Sequence, residues 1–170
     1  MKKSPYFKQV ELMLQTIPHI AIETGFALKG GTAINLFVRD MPRLSVDIDL
    51  AYLPVEEPRE TALSRISDAL RRIAVALKRA MPGVKIQESQ KQEPNRVTKL
   101  VVATGQTRIE IEPNEVIRGS VFPSEERELT QRAEHIFERS VTACVLSIPD
   151  LYGGKIWAAL DRQYPRDLLT

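Results

Sequence analysis

Apolar residues recur along the chain with two distinct periods, and each predicts a different kind of element. Over residues 6–22, Val10, Met13, Leu14 and Ile17 fall at three- and four-residue intervals, the spacing of an amphipathic helix that Pro18 bends or restarts. Phe26, Ala27 and Leu28 read as a short strand broken by Gly30 and Gly31. Thr32 is then a candidate N-cap for a helix carrying Ala33, Ile34, Asn35, Leu36 and Phe37. After Pro42, Val46-Asp47-Ile48-Asp49-Leu50 alternates strictly between apolar and acidic, as a strand does when its two faces meet different surroundings.

Pro54 and Pro58 close that segment. Residues 59–81 carry Leu63, Ile66, Ala69, Leu70, Ile73 and Leu77 at helical spacing and predict a long amphipathic helix ended by Pro82-Gly83. Strands are predicted over 84–87, 97–103 and 107–112, the last two joined as a hairpin through Thr104-Gly105-Gln106, while the polar stretch 87–95 reads as a loop. A further strand spans 141–147, and Pro149 opens a helix through Leu151, Ile156, Ala159 and Leu160. The sum is an α/β (α+β) chain, a mixed sheet flanked by helices, with a core domain over residues 1–147 and a helical region beginning at 148–170.

Composition narrows the class. A chain of 170 residues with 43% hydrophobic and 27% charged positions can bury a full core and is neither disordered, collagenous nor disulfide-stapled. Its apolar runs are too short to span a bilayer and its first residues lack a signal-peptide core, so a cytoplasmic protein without membrane contact is expected. The single Cys144 sits in an apolar run and reads as a buried small hydrophobe; with only two histidines beside it, a tetrahedral zinc site is disfavoured. Lys and Arg total 24 against 22 Asp and Glu. Any nucleic-acid contact is therefore local, made by pairs such as Arg71/Arg72, Lys78/Arg79 or Arg162/Arg166, which otherwise read as solvated helix faces.

The candidate chemistry lies in KGGTAINLFVRDMPRLSVDIDL, residues 29–50. Two glycines entering a helix let backbone N–H groups approach an anion, so Gly30, Gly31 and Thr32 form a candidate phosphate cradle; the simpler reading is a tight turn. Asp47 and Asp49, two apart on a strand, point to the same side, where their like charges call for a cation. Mg²⁺ takes oxygen ligands and is commonly completed by substrate phosphates. In Arg108-Ile109-Glu110-Ile111-Glu112 the two glutamates share a strand face, and one of them can supply a third carboxylate. Three carboxylates beside a glycine turn suit two-metal phosphoryl or nucleotidyl transfer.

Gly30-Gly31-Thr32, then Asp47-Ile48-Asp49, then an acidic residue on a later strand resemble the polymerase-beta-type nucleotidyltransferase signature. LKGGTAINLF, RLSVDIDL, RIEIEP and DLYGGKIWAALDRQYPRDL, in that order, resemble the AbiEii/AbiGii toxin family of type IV toxin–antitoxin and abortive-infection systems. The resemblance implies that Gly30, Gly31 and Thr32 hold nucleotide phosphates and that Asp47, Asp49 and Glu110 bind Mg²⁺ or Mn²⁺, with Glu112 the alternative to Glu110. It implies a catalytic Lys155 that also contacts the triphosphate, and Asp167 as a C-terminal acidic residue that orients Lys155 or acts near the incoming hydroxyl. Arg162, beside Arg166, suits nucleotide or RNA phosphates. The implied partners are an NTP, a tRNA or other RNA acceptor, and a cognate antitoxin. Family members continue past the RDL segment into a helical half, so the chain reads as truncated, with an uncovered helix face that favours a homodimer. The alternatives are a catalytically impaired module that binds a nucleotide or partner, and a transferase acting on a small molecule.

Overall fold

The structure is a computed structural model that describes residues 4–41, 45–91 and 95–162, without the side chain of Arg162. Helix α1 (Pro5–Ile20) leads to strand β1 (Phe26–Lys29) and the short helix α2 (Gly30–Ala33), which widens into a π-helical turn (Ile34–Val38). Strand β2 (Asp47–Tyr52), the long helix α3 (Arg59–Ala80) and strands β3 (Lys85–Lys91), β4 (Arg96–Thr104) and β5 (Thr107–Pro113) follow. Strand β6 (Glu125–Glu128), helix α4 (Gln131–Phe137), strand β7 (Thr142–Val145) and helix α5 (Ile148–Arg162) complete the described chain. All seven strands join one mixed sheet in the order β3-β4-β5-β2-β1-β7-β6, with β2–β5 and β1–β7 parallel and the other neighbours antiparallel.

The strict alternation in β2 and β5 decides which face is packed. Ile48 and Leu50 of β2, Ile109 and Ile111 of β5, and Leu100 and Val102 of β4 are fully buried. Helices α1 and α3 touch each other and lie against β5 and β4, and they contribute Val10, Met13, Leu14 and Ile17, and Leu63, Ile66, Leu70, Ile73 and Leu77. Burying each such side chain contributes about 2 kcal/mol. The opposite face of the same strands is thereby left to polar groups.

Several expectations are corrected. Residues 87–95 are not a loop throughout, because β3 runs to Lys91; an edge strand satisfies its backbone on one side and carries no apolar signal. The same holds for β6, whose EERE sequence occupies the other edge. Thr32 is not an N-cap: β1 passes into α2 at Gly30, so the cap position is Lys29. Cys144 is half-buried rather than buried, at the rim of a small apolar cavity lined by Ile17, Ile20, Leu28 and Leu50. Of the basic pairs, Arg72 clasps Glu23 at 2.7 and 2.8 Å and Arg71 meets Asp68 at 3.3 Å. Among the described residues, no helix is long and apolar enough to cross a membrane. Helix α5 exposes Ile156, Trp157 and Leu160.

Candidate active site

At the end of β1 the chain turns through Gly30 with φ +73°, a left-handed conformation that a side chain rarely adopts. Space imposes the same choice: a Cβ at Gly30 would collide with the Asp49 carboxylate and stand 3.1 Å from its Cγ. Gly30 therefore lets the backbone pass directly over Asp49. Gly31 and Thr32 are buried behind it, and the Thr32 hydroxyl donates to the Asp47 carbonyl oxygen, with Met13 Sδ 3.6 Å away. That hydroxyl ties α2 to the first residue of β2 and faces inward.

The acidic residues converge through strand register. Parallel pairing sets Asp47 opposite Glu110 and Asp49 opposite Glu112, so four carboxylates share the sheet face opposite the core. On the other side of β2, antiparallel pairing places Lys29 opposite Asp49. The Asp49 pKa is raised from 3.8 to about 6: burial is the largest influence and raises it, Lys29 comes next and pulls it down, Asp47 and Glu112 raise it, and Lys155 lowers it. Lys155, on α5, is thus within electrostatic reach of Asp49. Asp47 is also raised, by burial first and Glu110 second, against Lys99 and Arg108.

Glu110 behaves oppositely. Lys99 Nζ lies 2.9 Å from its Oε2 and Arg108 Nη2 lies 2.7 Å from its Oε1, and the Lys99 hydrogen bond is the main reason its pKa is lowered. Lys99 also stands 4.0 Å from Glu112 Oε2. A hard divalent cation suits the all-oxygen donors Asp47 and Asp49, and the burial that raises the Asp49 pKa is what a bound cation would offset. The described residues do not, however, gather three His, Cys, Asp or Glu side chains in ligand geometry, and Glu110 is taken by Lys99 and Arg108.

The structure thus brings Gly30, Asp47, Asp49, Glu110 and Glu112 to one face, with Lys155 in electrostatic reach of Asp49. Arg162 closes α5, but its side chain is not described; Arg166 and Asp167 lie outside the described residues. Sequence reasoning missed Lys29 and Lys99, whose relation to the acids depends on cross-strand register. It also missed Asp150. This carboxylate accepts the Val121 and Phe122 N–H groups, each at 3.0 Å, and the Ser147 hydroxyl at 2.7 Å. Burial pushes its pKa up, but these hydrogen bonds prevail and lower it. Asp150 therefore fastens the start of α5, and with it Lys155, to the loop after β5. Ser147-x-x-Asp150 is a capping pattern that could have flagged it.

Known proteins bear on this arrangement. The chain is similar in structure to MenT4, a nucleotidyltransferase toxin from Mycobacterium tuberculosis H37Rv, at 14% identity and a TM-score of 0.60, covering 91% of this chain and 54% of that one. It spans about half the length of MenT4, and the likeness speaks for the fold. A search of curated proteins finds no match. A family model described as nucleotidyl transferase AbiEii toxin, Type IV TA system, matches residues 11–169. That span takes in both the glycine turn and the acidic strands, and the chain belongs to the AbiEii family of nucleotidyl transferase toxins.

Proposed function

We propose that this chain transfers a nucleoside monophosphate from an NTP to a hydroxyl of an RNA acceptor, tRNA foremost, in a Mg²⁺- or Mn²⁺-dependent reaction. In this reading it acts in the cytoplasm as a toxin held in check by a cognate antitoxin. The observation that carries the reading is the register of β2 on β5, which aligns Asp47 and Asp49 with Glu110 and Glu112 beside the Gly30 turn. Asp47 and Asp49 would hold the metal, with Glu110 or Glu112 as third carboxylate. A bound divalent ion would supply charge neutralisation on the phosphates and lower the barrier to attack.

The chain's own residues supply the rest. Gly30 leaves the backbone bare where the triphosphate approaches, with Gly31 and Thr32, both buried, bracing the turn from behind. Lys155 adds a positive charge on the Asp49 side, placed to offset charge building on the leaving group. The acceptor oxygen bonds to the α-phosphorus, the bond from that phosphorus to the bridging oxygen breaks, and pyrophosphate leaves with the electron pair. The hydroxyl proton passes to a carboxylate or to water; Asp167 and Arg162 keep the roles near acceptor and phosphates that the family pattern suggests. The exposed Ile156, Trp157 and Leu160 of α5 support self-association as a homodimer.

Incubation with each labelled NTP, Mg²⁺ and total tRNA tests the reading. Label should enter RNA with wild type, disappear with EDTA, and fall by roughly a hundredfold or more in Asp47→Asn and Asp49→Asn. No transfer with any NTP or acceptor class would overturn it. A second reading, a module that binds nucleotide without turnover, draws support from the commitment of Glu110 to Lys99 and Arg108. Calorimetry showing metal-dependent NTP binding with no product would favour it.

A further inference from the structure

The acidic face is bracketed by cations on both sides. Lys29 on β1 and Lys155 on α5 act on Asp49, while Lys99 on β4 and Arg108 on β5 act on Asp47 and clasp Glu110. The sheet order puts β1 on one side of β2, and β5 and then β4 on the other, so Lys29 and the Lys99–Arg108 pair stand on opposite sides of Asp47 and Asp49, with Lys155 in electrostatic reach of Asp49. In the reading above the triphosphate occupies the flank of Gly30 and Lys155. The acceptor must then enter from the other. That flank is partly open: the side chains of Arg108 and Glu112 are 64% and 60% exposed and that of Lys99 30%, a surface suited to an extended strand rather than an enclosed small molecule. An ammonium offers three donors and a guanidinium five, and Glu110 engages only part of either set.

We infer that Lys99 and Arg108 form an acceptor-side subsite that binds a backbone phosphate of the RNA acceptor next to its reacting hydroxyl; the inference rests on the nucleotidyltransferase reading. Glu110 competes with that phosphate for both cations, so removing its charge strengthens the RNA contact.

The test is fluorescence anisotropy of a short single-stranded RNA with a free 3′ end, in EDTA, over a range of KCl. The proteins compared are wild type, Lys99→Met, Arg108→Met, the double variant, Lys99→Arg and Glu110→Gln, each checked for an unchanged thermal melt. Loss of the contact to that phosphate lowers the slope of log K against log salt by about 0.7. The methionine variants should weaken binding roughly tenfold, Lys99→Arg should retain it, and Glu110→Gln should tighten it severalfold. Mg²⁺–NTP affinity, read by calorimetry, should stay within about twofold in Lys99→Met. RNA binding insensitive to all these changes, an equal loss of RNA and NTP affinity, or the same sensitivity for transfer to a small-molecule hydroxyl would overturn the inference. So would a wild type that binds Mg²⁺–NTP but no RNA. A wild type that binds no Mg²⁺–NTP would instead sink the transferase reading itself.

Discussion

Replacing Asp49 by Asn removes a charge from the acidic face while keeping its volume, and the effect on stability follows from the burial of that carboxylate. Its pKa rises from 3.8 to about 6, first through burial and then through Asp47 and Glu112, against the pull of Lys29 and Lys155. At about 1.4 kcal/mol per pKa unit, holding Asp49 ionised in the metal-free fold costs up to about 3 kcal/mol relative to the unfolded chain. The folded protein keeps the proton to about pH 6 and the unfolded chain releases it near 3.8, so the native state binds more protons between those values. Stability therefore falls as pH rises through that window and levels off above it. Asn does not ionise. Urea denaturation followed by circular dichroism in EDTA should make Asp49→Asn more stable than wild type by as much as about 3 kcal/mol near pH 7.5, and nearly equal to it near pH 4. A variant less stable than wild type at both pH values, or a gap that does not change between them, would refute the electrostatic account.

Gly30→Ala combines a left-handed backbone with a collision against Asp49, so it should cost about 2 to 3 kcal/mol and weaken Mg²⁺–NTP binding; melts and calorimetry read both, and an unperturbed variant would contradict the close approach. Thr32→Val keeps the shape but loses the donor to the Asp47 carbonyl, and should lower stability by about 1 to 2 kcal/mol with little change in NTP affinity. The reverse outcome in the same two assays would turn the hydroxyl outward. Asp150→Ala frees two backbone amides and should cost about 2 kcal/mol in neutral solution. Because the folded carboxyl has a lowered pKa, its contribution is present above the ordinary carboxyl range and lost as pH falls through the folded value, so the deficit should shrink in strong acid.

The acidic face was legible in the sequence because strand alternation is a local pattern: Asp47 and Asp49, and Glu110 and Glu112, announce their shared sides without knowledge of the partner strand. The long apolar stripe of α3 was legible for the same reason. What escaped depends on neighbours distant in sequence. Lys99 sits in a strand whose own pattern speaks only of core, and its hold on Glu110 appears once β4 lies against β5 in antiparallel register. The far half of β3, beyond residue 87, and the whole of β6 were hidden because edge positions tolerate polar side chains on both faces. Thr32 was misassigned because a helix starting at Gly30 looks, in sequence, like one starting two residues later; only the hydroxyl's contact with the Asp47 carbonyl distinguishes the two.

Parallel strands cannot be joined by a tight turn, and between β2 and β5 the chain makes a long excursion through α3, β3 and β4. The paired carboxylates are consequently 63 positions apart in sequence and meet only when that excursion has folded back. A nascent or partly denatured chain carries each acidic couple as an ordinary solvated segment. The acidic face as a whole forms only with closure of the central pairing. Its assembly is therefore tied to a long-range pairing, the class of contact that closes slowly because loop entropy must be paid first.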